Sequence, residues 1–153
     1  MQKPIQIQSL EQRLDYAISK FDQEQDLFVQ SHLARYLAII TAGYFEQAVQ
    51  SALTDFTSRS ARQELTNYVD ATLAWEGSIN RDKLARILGR FNETWFESIE
   101  AIASDGEKNA VDSIKQLRDR LAHGLDNGTG YGTIKAYHQQ TRMYVERILQ
   151  ILP

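Results

Sequence analysis

Ile114-Lys115-Gln116-Leu117-Arg118-Asp119-Arg120-Leu121-Ala122-His123-Gly124 is the stretch on which the reading of this chain turns. Ile114, Leu117 and Leu121 recur at i, i+3 and i+7, one face of an α-helix, and Gly124 stands where a helix C-cap is expected. His123 then falls in the last turn. There the negative end of the helix dipole meets the side-chain type that titrates near neutrality. Arg118 lies on the same helix, so a permanent cation and a proton carrier occupy one helix end.

The same periodicity runs outward in both directions. Leu10, Leu14, Ala17, Ile18 and Phe21 predict an amphipathic helix from about Ser9, as N-cap, to Asp22, with an acidic outer side (Asp15, Asp22) turned to solvent. A long helix from about Asp26 to Ser58 follows, its centre apolar on most sides as in a bundle or at a subunit interface, with Gly43 placed for close approach of another helix. A shorter helix is expected from about Leu65 to Trp75. Another, capped by Asn80, is expected to run unbroken to about Ala103, with Leu84, Ile87, Leu88, Phe91, Trp95, Ile99 and Ile102 inward. Its outer face carries Lys83, Arg86 and Arg90 at i, i+3 and i+7, joined by Arg81. That stripe is either a solvated face or a track for RNA. Four glycines between 124 and 132 mark a loop, and a last helix spans about Thr133 to Leu152. No segment alternates as a strand would. The expected architecture is an all-α, up-and-down helical bundle.

At 153 residues the chain is sized for a single domain spanning 1–153. There is no cysteine, hence no disulfide framework and no thiolate nucleophile or ligand, in keeping with a reducing compartment. His32, His123 and His138 show no metal-ligand spacing, so no metal and no cofactor is expected. The N-terminus lacks the apolar run of a signal peptide, no stretch is apolar enough to span a bilayer, and a cytoplasmic location is expected. A net charge of −3 and a pI near 5.6 argue against a protein that coats nucleic acid, while allowing a local patch that grips a short piece of it. The glycine-bearing loop matches neither phosphate-binding fingerprint. It reads as a mobile rim, with Tyr131 able to stack on a base.

Arg118-Asp-x-x-Ala-His123-Gly resembles the R-x4-6-H signature of the HEPN superfamily, many of whose members are metal-independent ribonucleases. Leu37–Val49, with its small–aromatic–Glu centre at Gly43-Tyr44-Phe45-Glu46, resembles the long second helix of that superfamily. The resemblance implies a homodimer in which two copies of the motif converge on one cleft. It also implies an endoribonuclease in which the RNA 2′-hydroxyl attacks the adjacent phosphate. In that chemistry His123 moves protons and Arg118 offsets the charge growing on the phosphorane. Arg120 adds a phosphate contact. Asp119 either orients the arginine or histidine or sits in solvent, and Glu46 either holds His123 or Arg118 or pairs with nothing. Leu125 stands where toxins of this superfamily governed by a nucleotidyltransferase commonly carry tyrosine, which leaves open a different antitoxin or regulatory protein, or a role in phage defence or RNA processing. The rival expectation is a non-catalytic HEPN module for dimerisation or for regulating a partner. Either way, Arg118 and His123 lie about 140° apart around an ideal helix. The last turn must unwind, Arg118 must reach round, or a second copy must complete the site.

Overall fold

The computed structural model describes residues 1–125 and 128–153, and Asp126 and Asn127, which fall within the expected loop, lie outside the described residues. α2 (Leu27–Ser60) is the axis of the molecule. The Asp26 carboxylate starts it by accepting from the backbone N–H groups of Phe28 and Val29 at 2.8 and 3.2 Å. Along its inner side small residues (Ala34, Ala38, Ala42, Ala48, Ala52) intersperse Leu37, Phe45, Val49 and Leu53, so neighbouring helices approach closely between large side chains.

Three other long helices pack around this axis. α1 (Ile5–Phe21) lies antiparallel to α2, since Glu11 meets Tyr44 while Phe21 meets Tyr36. α6 (Asp105–Ala122) and α7 (Tyr131–Ile151) form an antiparallel hairpin in which Arg147 reaches back to Glu107. α7 runs parallel to α2, as the pairs Thr41–His138 and Phe45–Tyr144 require. The four thus alternate in direction along the chain, the up-and-down arrangement expected. The described residues contain α-helices and no strand.

α3 (Gln63–Ala74), α4 (Arg81–Gly89) and α5 (Trp95–Ile102) occupy the stretch between α2 and α6. The single helix expected from Asn80 to Ala103 is broken. After Gly89 the chain turns, and the Asn92 side chain accepts from both the backbone N–H and the hydroxyl of Thr94 at 2.8 Å, the local turn that asparagine favours. The corner is held by stacked Phe91 and Trp95 rings (6.3 Å between centroids) packed against Phe56.

Other sequence boundaries shift for identifiable reasons. α1 starts at Ile5 behind Pro4, so Ser9 is an interior residue and not a cap; fully buried Ile7 extends the apolar face by a turn. The acids of α1 do not form a free acidic face. Asp15 pairs with Arg142, and Asp22 pairs with Lys135 and accepts from the Tyr131 hydroxyl, stitching α1 to α7. Gly43 has no atom within 4 Å of where a Cβ would stand, so no other helix is in contact there, and it lines a groove beside Leu10, Leu14 and Ala17 of α1. Among the described residues no helix is long and apolar enough to cross a membrane.

Candidate functional site

α6 is a well-framed helix. Ser104 and Glu107 form a reciprocal capping box at its start, and Ile114 and Leu117 anchor it against Leu37, Ala38 and Ile134. Its end is equally defined. The N–H of Leu125 reaches the carbonyl of Arg120 at 2.8 Å and that of Gly124 reaches Leu121 at 3.0 Å, with Gly124 at φ +70°. This is the paired-bond glycine terminator of a helix. His123 is the C-cap, its backbone N–H still bonded to the carbonyl of Asp119 at 3.2 Å, and its side chain is exposed. The last turn therefore does not unwind.

Arg118 leans on Asp119, with 3.4 Å between guanidinium and carboxylate, and goes no further toward His123. Asp119 is chiefly the partner of Lys115 one turn earlier; that ammonium and then Arg118 hold its carboxyl below the usual range. Arg118 is left with one long contact and 42% of its side chain in solvent. Across from it, on α2, lies half-buried Glu46. Burial pushes that carboxyl up, while Arg118, Ser78 and Lys83 oppose the shift. The buried Ser78 hydroxyl approaches without a hydrogen bond of regular geometry. No hydrogen bond joins Glu46 to Arg118 or His123, so Glu46 faces the motif through its field and not through contact.

The fold thus gathers Arg118, Asp119, Glu46 and Lys83 along one edge of α6. It separates the other candidates. Arg120 lies on the opposite flank, lining a pocket of ≈ 160 Å³ with Gln116, Thr129 and Tyr137 between α6 and α7. His123 is exposed between the two flanks, and among the described residues no contact joins it to Arg118. Tyr131 is not a free rim residue. It is the first residue of α7, packed on the α2–α6–α7 core with its hydroxyl bonded to Asp22 at 2.9 Å, which with burial raises its pKa. In the basic stripe, Arg81 pairs with Glu100 and Asp112, and Lys83 and Arg90 share the Glu76 carboxylate at 3.7 and 2.6 Å. Arg86 is exposed. Lys115 and Ser78 were not singled out in the sequence. Lys115 had a signal, its i,i+4 spacing to Asp119, whereas Ser78 sits in a turn and had none. No cluster of His, Asp and Glu fit to hold a metal ion occurs among the described residues.

A family model described as RiboL-PSP-HEPN matches residues 6–152, all seven helices included but for the first residue of α1. The chain belongs to the RiboL-PSP-HEPN family. The HEPN kinship inferred from the Arg118–His123 motif and from Leu37–Val49 therefore holds across the whole bundle. Neither the curated proteins nor the solved structures contain a match. Within this RiboL-PSP-HEPN chain the motif sits at a glycine-terminated helix end, with its arginine turned to the Glu46 side and its histidine to solvent.

Proposed function

We propose that this HEPN chain is a metal-independent endoribonuclease that works as a homodimer, with Arg118 and His123 as its catalytic residues. The observation that carries the reading is the unspent state of the motif. Asp119 is taken up by Lys115, so the Arg118 guanidinium keeps most of its donors for a phosphate, and His123 is exposed at a rigid helix end instead of packed. The 140° between them is the reason for the second copy. α2 carries an exposed stripe of Phe28, His32, Tyr36 and Ile39 at three- and four-residue steps, continued by half-buried Gly43 along the groove beside α1, and Glu46, which faces Arg118, borders it. Two-fold pairing of this stripe supplies close approach at Gly43 and draws both motif edges toward one cleft.

In that cleft one His123 accepts the proton of a 2′-hydroxyl while its oxygen attacks the adjacent phosphorus. The other donates a proton to the departing 5′-oxygen. The products are a 2′,3′-cyclic phosphate and a 5′-hydroxyl end, and the Arg118 pair neutralises the charge building on the non-bridging oxygens. Lys83, Arg86 and Arg90 give the RNA further phosphate contacts. A role as toxin, phage-defence component or RNA processor fits such an activity, with a regulatory protein to restrain it.

Purified protein in EDTA should cut RNA to cyclic-phosphate ends, and His123→Ala should abolish cutting with no loss of thermal stability. Undiminished cutting by His123→Ala would remove the catalytic assignment. No cutting by the wild type would leave a HEPN module that dimerises or regulates a partner.

A further inference from the structure

α3 is apolar on two sides. Thr66 and Leu73 are buried and Val69 half-buried, yet Leu65, Tyr68, Thr72 and Trp75 form a second stripe at steps of three, four and three that faces solvent. Tyr68 is 70% exposed and Trp75 90%. Beside this stripe, between α3 and α4, runs a groove of ≈ 340 Å³ floored by Leu73, Ile87 and Phe91, with Tyr68 on one lip and Arg90 on the other. Its volume is at the small end of ligand sites, about 300 Å³, the scale of a nucleoside.

We propose that this groove is a nucleobase subsite for single-stranded RNA, an inference that rests on RNA being the substrate. A base stacks on the Tyr68 ring, its phosphate meets Arg90, and the next base along the strand meets Trp75 two turns further on the same face. Stacking on an exposed ring beside a cation is how single strands are held without sequence readout. Charge connects the groove to the motif. Glu76 pairs with Arg90 and with Lys83, and Lys83, like Arg118, acts on Glu46. Arg118, Lys83, Arg86 and Arg90 thus form a line of cations ending at the aromatic lip; Asp119, Glu46, Glu76 and Asp82 stand beside them, and Arg86 and Arg90, next to the groove, are exposed. A polyanion with flat bases fits that combination better than an apolar protein segment does.

A 2′-O-methyl oligouridine has no nucleophile and stays intact, so binding can be read apart from cleavage. Titrated into wild-type protein it should quench the fluorescence of Trp75; Trp75→Phe should lose the quench and keep affinity within about threefold. Tyr68→Ala should weaken binding by about 5- to 150-fold, the range for losing one stacked base. On a long RNA it should raise KM and leave kcat unchanged, and Arg90→Ala should weaken binding in the same direction. Tyr68 is exposed, so the variant should melt as wild type does. Unchanged affinity in Tyr68→Ala and Arg90→Ala, with RNA still cut in EDTA, would overturn the subsite and leave the ribonuclease standing. Tyr68-dependent binding with no cutting by wild type would do the reverse. Loss of self-association in Tyr68→Ala with RNA affinity intact would assign the face to a second copy and overturn the subsite.

Discussion

Acidification should destabilise this protein through one buried residue. His138 on α7 is 1% exposed, its Nδ1 sits 3.0 Å from the Thr41 hydroxyl, and its Nε2 has no hydrogen-bond partner. Burial lowers its pKa to about 4, nearby Arg142 adds to the shift, and Asp15 and Glu11 oppose it. In the unfolded chain the same group takes up its proton near 6.5. Between those two values the unfolded state binds more protons than the folded one, so stability is full above pH 6.5 and falls as the pH drops toward 4. A histidine shifted this far loses about 2 kcal/mol of stability between pH 7 and pH 5, or about 4–8 °C in Tm for a chain of this length. His138→Gln keeps a polar partner for Thr41 and removes the titration. Urea unfolding of both proteins at pH 7 and pH 5 isolates the contribution of His138, because those of all other groups are common to the two. The wild type should lose about 2 kcal/mol more than His138→Gln over that interval. Parallel losses would refute the reasoning and mean that the imidazole is hydrated or already charged in the fold.

Other substitutions probe the remaining joints of the structure. Gly124→Ala forces a Cβ into φ +70° and should cost about 1–2 kcal/mol in chemical denaturation, since that conformation is unfavourable for L-residues by this amount. Glu11 is 6% exposed and accepts from the buried Tyr44 hydroxyl, while Lys3 keeps Glu146 as a second partner, so Glu11→Ala should cost about 1–3 kcal/mol in the same assay. Ile114→Ala opens a hole beside Leu37 and Ile134 and should cost about 2–5 kcal/mol. Gly43→Ala separates two effects: with open space around it in one copy, it should stabilise the helix by about 1 kcal/mol, while light scattering shows weakened self-association. Stronger association in that variant would argue against α2 as the dimer face.

The chain's periodicities made most of the bundle legible. The motif helix, its glycine end and the long α2 stand where the apolar steps put them. Breaks that preserve the apolar rhythm were not legible: Phe91 and Trp95 are four apart, as in a continuous helix, and both face Phe56 across a turn that Asn92 builds. Partners distant in sequence were equally hidden. Nothing local tells that Asp22 takes the Tyr131 hydroxyl, or that Arg81 is spent on Glu100 and Asp112. At the site, the residue types at 118 and 123 were readable, and so was the angle between them. That Asp119 belongs to Lys115, and that Lys83 and Arg118 act on one half-buried carboxylate, needed α2, α4 and α6 in place together.

The central claim is that the His123 and Arg118 side chains of two copies act together in one cleft. Arg118→Ala and His123→Ala proteins should each be inactive on RNA in EDTA. When wild-type protein is unfolded together with an excess of His123→Ala and refolded so that subunits exchange, cutting per wild-type chain should fall in proportion to the wild-type share, because a heterodimer keeps one histidine where the reaction takes two. If tag capture shows heterodimers and cutting per wild-type chain is unchanged, the shared cleft is contradicted.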